Sequence, residues 1–274
     1  MYALKRISAT GIYPENHAQK GKLKKISNEI SKKNNYKNIY PLLDQALTIK
    51  GGKHSSLETP KEVKKDISQY KEPTVRVKNN ILYVHLPEFV GSTSQAKKYA
   101  NTVYHKIIKQ KYTGIIIDLS NNRGGDIGPM LAGISPIIPN GKLFELVNAA
   151  NKSTNVTFQG SVTNNMGTKI DLGKVKKVTK LPIAVILNRW TASSGELTVL
   201  ALKDNPSVKT FGGNSAGYTS INNTYTMYNG TQLNITTDKI RKNNGQVLFN
   251  SKIKPDFMTK EPIVKAKEWI VNHN

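Results

Sequence analysis

The chain has 274 residues with 41 Lys+Arg against 18 Asp+Glu, a net charge of +23, and no cysteine. Its length and 37% hydrophobic content suffice for a sizeable core, and the lack of cysteine excludes disulfides and thiolate catalysis. No apolar run approaches the ~18 residues of a membrane span, and no secretory signal opens the sequence.

The lysines are scattered, with clusters only at "KGKLKK" and "GKVKK". No nucleic-acid motif or aromatic ladder accompanies them, so nucleic acid is not an expected partner. A weak attraction to an anionic membrane or wall surface is expected instead. From residue 2 to about residue 57, Leu23, Ile26, Ile30, Leu42, Leu43, Ala46 and Leu47 recur at helical spacing. Two or three helices are expected there, the last stopped by Gly51-Gly52. "LETPKEVKKDISQYKEPT" reads as a connector with some helix. "TVRVKNNILYVHLPEF" alternates around Asn79-Asn80 as a hairpin does. "STSQAKKYANTVYHKIIKQK" reads as an amphipathic helix. "TGIIIDLS" is a continuous apolar strand, suited to a sheet covered on both faces.

"NNRGGDIGPM" follows as a glycine-rich loop, with a helix expected from Pro129. The polar, strand-like stretch over 143–176 reads as a cap-like insertion. "LPIAVILN" is a second buried strand, and "SGELTVLALKDN" a helix after it. "VKTFGG" is a further strand, "TYTMYNGTQLNITT" a hairpin turning at Asn229-Gly230, and "EPIVKAKEWIVNHN" a closing helix. Strands alternating with helices predict an α/β fold: a mostly parallel sheet with crossover helices. An N-terminal helical subdomain over 1–72, a core over 73–274 and a small β-rich cap complete the expected organisation.

"RWTASSGE" places small hydroxyl residues between a buried strand and a helix. Such residues cap helices. A hydroxyl at this turn can also project as a nucleophile beside unpaired N–H groups. In order, "IIIDLSNNRGG", "VILNRWTASSGE" and "GGNSAGYTS…YNGTQLNITT…KIKPDF" resemble the carboxy-terminal processing, or tail-specific, serine peptidases. "GGKHSSL" extends the resemblance to the N-terminal helices.

The resemblance implies that Ser193 is the nucleophile and Ser194 N–H one oxyanion donor, with the second donor from the glycine loop: Gly125 first, Gly124 as the alternative. Well-known members use a lysine base near the segment that here reads "SAGYTSINNTYT", which contains none. "GGKHSS" resembles a histidine-dependent branch, which makes His54 the base. Glu196, three residues past Ser193, and Ser55, beside His54, are the candidates to orient the ring. Asp118 and Asp256 read as structural acceptors. No cofactor and no metal are implied.

Tail-specific members carry a PDZ domain before the core. Only about twenty residues separate His54 from Val75, too few for even a small domain. A short, PDZ-less, histidine-type member implies a peptide substrate of the lanthionine-containing antimicrobial class, such as nisin, cut near its C-terminus. It further implies an outward-facing protein of Gram-positive cells, held at the membrane by a segment lying outside this sequence. Alternatives from other classes are a general tail-specific protease of exported proteins and a catalytically silent ligand- or wall-binding relative. Nisin-like peptides are cationic, so the net charge predicts recognition by short-range contacts rather than by an acidic groove.

Overall fold

The computed structural model describes residues 2–178 and 180–273. Helices α1 (Tyr2–Thr10), α2 (His17–Ile30) and α3 (Tyr40–Gly51) come first. Every apolar position picked out by helical spacing in α2 and α3 is buried. Asn16 caps α2 by accepting from Gln19 N. At the end of α3, Gly52 turns to φ 72°, a backbone conformation that favours glycine. The connector forms β1 (Ser56–Glu58) and α4 (Pro60–Ser68).

β2 (Thr74–Lys78) and β3 (Ile81–His85) form the expected hairpin, with Asn79 and Asn80 both at positive φ. Next come α5 (Thr93–Lys109), opened by a Ser92–Gln95 capping box, and β4 (Gly114–Asp118). α6 (Ile127–Gly133) begins two residues before Pro129, because Asp126 takes the cap position and accepts from Gly128 N. β5 (Gly141–Asn148), β6 (Ser153–Gln159) and β7 (Val162–Asn164) lead to β8 (Ile183–Leu187). The chain continues as α7 (Ser194–Lys203), β9 (Val208–Gly212), β10 (Ser220–Thr226), β11 (Gln232–Arg241), β12 (Val247–Leu248), β13 (Phe257–Met258) and α8 (Pro262–Val271).

Two sheets result. The first has the order β13-β9-β8-β4-β3-β2 and is parallel except at the β2–β3 hairpin. Its strands carry apolar residues on both faces. Leu82, Ile115, Ile117, Val185 and Leu187 pack with residues of α5, α6 and α7, while Ile81, Ile116, Ala184 and Ile186 pack with Ala266 and Ile270 of α8. Asp256, read as structural, accepts from Thr210 N at 2.8 Å and ties the last segment to β9.

The second sheet is antiparallel and has seven strands, which corrects the expectation of a small β-rich cap. β5, β6 and β7 do not stand alone. β5 pairs with β11, and β11 also pairs with β1, β10 and β12. Lone strands would leave unpaired backbone groups, so the cap strands extend a sheet built around β11. A polar alternating stretch reveals strands but not their partners. Leu233 and Ile235 of β11 are fully buried against Ile7, Leu43 and Leu47 of the N-terminal helices. This contact seats the helical layer on the sheet. Leu233→Ala should therefore lower stability by about 2–5 kcal/mol in urea unfolding; a loss of a few tenths would mean the layer is loosely docked.

Candidate active site

The turn after β8 is fixed by hydroxyl and amide groups. Buried Thr191 donates its Oγ1–H to Leu119 O and accepts from Asn188 N, both at 2.9 Å, tying together the ends of β4 and β8. Ala192 N donates to Asn122 O at 2.9 Å. Ser193 then adopts φ 51° and ψ −121°, a conformation that costs a non-glycine residue about 1–3 kcal/mol. It persists because its N–H donates to Glu196 Oε2 at 3.0 Å. Ser194 opens α7, where helix geometry leaves the first N–H groups unpartnered. Its N–H has no acceptor among the described residues.

Glu196 is fully buried. Besides Ser193 N it accepts from Gly217 N at 2.8 Å, from Tyr218 N at 2.7 Å and from Ser215 Oγ–H. Burial raises its pKa, and these hydrogen bonds oppose the rise. Glu196 does not reach His54; it clamps the serine turn to the 215–218 segment. The carboxylate is consumed by nearby backbone donors, so none of it is left for the ring.

In the glycine loop, Gly124 and Gly125 sit at φ 115° and 86°. A Cβ on Gly125 would fall 2.0 Å from Phe89 O, and one on Gly124 would fall 2.8 Å from the Ser193 Cβ. Gly124 N donates to Asn122 Oδ1 at 2.9 Å, whereas Gly125 N has no acceptor among the described residues. Ser194 Oγ–H donates to Gly125 O, locking loop and turn together. Asn122, fully buried, also donates Nδ2–H to Leu86 O at 2.9 Å. It is the joint between β3, the loop and the serine turn, and was not singled out in the sequence.

His54 follows α3 in a single 3₁₀ turn. Its Nε2 lies 3.1 Å from Ser193 Oγ, and its Nδ1 lies 2.7 Å from Ser220 Oγ. Ser220 Oγ–H donates to Asn250 Oδ1 at 3.0 Å, so Ser220 accepts the Nδ1–H of the ring. That leaves the Nε2 lone pair facing Ser193. Asn222 Nδ2–H donates to His54 O at 2.6 Å and fixes the backbone. Ser55 faces the other way, accepting from Thr236 N at 2.9 Å and donating to Thr236 Oγ1 at 3.0 Å. The residues that orient the ring are thus Ser220 and Asn250, which sequence reasoning missed. Its nearest signal was "AGYTS", read only for its missing lysine. Burial first, and the neighbouring Lys53 charge second, lower the His54 pKa from 6.5 to about 4.

His54, Ser193, Ser194 and Gly125 line one cleft of about 560 Å³. Its walls also carry Glu58 and Asp126, with Arg123 as their basic counterpart. This wall is more acidic than the net charge predicted, because the few carboxylates are not spread evenly. Among the described residues no group of three His, Cys, Asp or Glu is placed to hold a metal. A hydroxyl against a neutral imidazole, beside two unpartnered N–H groups, is an arrangement suited to acyl transfer.

Residues 80–259 match the family model described as Peptidase family S41. The chain is 38% identical over 269 residues to the nisin-resistance protein of Lactococcus lactis subsp. lactis, an alignment covering 98% of this chain and 85% of that protein. A carboxyl-terminal-processing protease of Synechocystis sp. is 24% identical over 68% of this chain and 39% of its own length. Among solved structures, one described as a lipoprotein from Streptococcus agalactiae superposes with a TM-score of 0.92 at 28% identity, covering 100% of this chain and 95% of that one.

The burial of His54 has a direct readout. In an NMR titration its ring should titrate at about 4 rather than at 6.5, and Lys53→Gln should move the midpoint upward. A wild-type midpoint at 6.5 would mean the ring is solvated and not held as described.

Proposed function

Since this chain belongs to peptidase family S41, a family of serine peptidases, we propose that it is a serine endopeptidase cutting lanthionine-containing peptides such as nisin. The observation that carries this reading is the 3.1 Å approach of His54 Nε2 to Ser193 Oγ beside the free N–H groups of Ser194 and Gly125. Ser193 Oγ attacks the scissile carbonyl carbon and passes its proton to His54 Nε2. The carbonyl oxygen takes the negative charge and is held by the two N–H groups, each worth about 3 kcal/mol in the transition state. The C–N bond breaks as His54 delivers that proton to the departing amine. Water then adds to the acyl-enzyme, giving a proton to His54. The ester C–O bond breaks, and Oγ recovers its proton.

A histidine with a pKa near 4 is neutral at physiological pH, so the base is always available. It is also a weak base, and no carboxylate stands behind it to stabilise the imidazolium. Ser220 does that work: as Nε2 gains a proton, Nδ1–H becomes more acidic and its hydrogen bond to Ser220 strengthens.

The substrate class is supported by the 38% identity to the nisin-resistance protein across nearly the whole chain. A position at the outer membrane surface is supported by the likeness to the streptococcal lipoprotein. The positive surface would favour such a location through anionic lipid or wall polymer.

Mass spectrometry of nisin incubated with the protein tests the reading. Ser193→Ala and His54→Ala should each abolish cleavage, and the double variant should be no worse than either, because the two act as one unit. Full activity in His54→Ala would remove the base assignment. Ser220→Ala should lower kcat, by less than the ~10²–10⁴-fold contribution of the base itself, and should leave KM nearly unchanged. An unaltered kcat would mean that packing alone fixes the ring.

A further inference from the structure

A second cavity, of about 460 Å³, adjoins the first at the reacting serine and shares His54, Arg123 and Ser193 with it. Its other walls include Arg189, Trp190, Tyr218 and Lys252. Only five of the 41 basic residues in the sequence are arginines. Two of those five meet here. Their guanidinium carbons lie 5.3 Å (Arg123) and 5.0 Å (Arg189) from the centroid of the same half-exposed indole, Trp190.

Among the described residues Arg123, Arg189 and Lys252 form no ion pair; of the other arginines, Arg6 and Arg76 also form none and Arg241 is bound to Glu145 at 2.9 Å. Unpaired lysines are unremarkable in so basic a chain. Two arginines converging on one indole beside the reacting serine are less so, because a bare positive surface needs only the lysine used elsewhere. A guanidinium adds a planar fork that takes both oxygens of a carboxylate. Stacking on an indole holds that fork without using its N–H donors.

The cleft as a whole is polarised. Acidic Glu58 and Asp126 line only the first cavity, Arg189 and Lys252 only the second, and Arg123 borders both. A group held on the basic side remains joined to the scissile bond through a short stretch of backbone. On a linear peptide the one negative group guaranteed at a fixed end is the terminal carboxylate.

We propose that this cavity binds the free α-carboxylate of the peptide substrate, with Arg189 and Lys252 as its ligands and Arg123 at the boundary with the serine. The bond cut is then set by its distance from the C-terminus. The inference rests on the peptidase reading above and adds the site that measures the tail.

The test uses nisin, nisin amidated at its C-terminus, and nisin extended by two residues at that end. Wild-type protein should cut the acid with kcat/KM about tenfold or more above the amide. Arg189→Gln and Lys252→Gln should each bring that ratio towards one, and Arg189→Lys should restore it only in part. In the extended peptide the cut should move two residues along the chain, keeping its distance from the new end. Equal cleavage of acid and amide, an equal loss on both in the variants, or a cut that stays at its original bond would each overturn the pocket while leaving the peptidase reading intact. No cleavage of any of the three by wild-type protein would bring down the peptidase reading and this inference with it. Weaker binding of Arg189→Gln to phosphatidylglycerol vesicles, with no acid-over-amide preference in the wild type, would assign the cations to lipid phosphate and overturn the proposal.

Discussion

The 3.1 Å contact between His54 and Ser193 joins groups 139 residues apart in sequence, and each is fixed by a different sheet. Ser193 belongs to the parallel sheet, at the turn where β8 leaves the core. His54 ends the 3₁₀ turn between α3 and β1, and so is tied to the helical layer and to the antiparallel sheet. A hydrogen bond weakens steeply with distance and angle. The two sheets must therefore hold their relative positions to within a fraction of an ångström for the pair to exist. The buried face of β11 against α1 and α3, and the two hydrogen bonds between Ser55 and Thr236, serve that registration on the histidine side.

On the serine side, two fully buried polar residues do the positioning. Glu196 gathers four donors and Asn122 bonds the backbone of Leu86, Leu119, Gly124 and Ala192, so neither leaves a polar atom unsatisfied in the core. Buried polar groups of this kind are costly when half-satisfied and specifying when complete. Here the specification is a backbone that glycine would adopt more readily than serine. Holding it bends Ser193 Oγ out of the turn and leaves Ser194 N–H free.

Local pattern made much of this legible. Apolar runs with sharp polar boundaries gave β4 and β8, and the residues after them gave the glycine loop and the serine turn. Capping patterns, the Asn79-Asn80 turn and the Gly51-Gly52 stop were readable for the same reason: each acts within a few residues. Ser220 and Asn250 were not readable. Their link to His54 spans 166 residues, and neither carries a local signature. Glu196 was legible as a group near the serine but not in its role, because spacing identified the turn and could not show how many donors compete for one carboxylate. β5, β6 and β7 were recognisable as strands, while their membership in the β11 sheet depended on pairing such as Asn148 with Asp238 and Glu145 with Arg241, far apart in sequence.

The pairing of β1 with β11 also sets an order of events for a chain that is still folding. Ser56 to Glu58 find their partners only at Gln232 to Asn234, late in the sequence. Closing so long a loop is entropically slow compared with local elements. A chain that has built its parallel sheet but not yet docked its N-terminal layer carries the serine and the two free N–H groups with no imidazole beside them. Until that layer docks, the His54–Ser193 pair on which the proposed hydrolysis depends does not exist. In the proposed reading the base therefore arrives with the N-terminal layer, because His54 lies between that layer and β1.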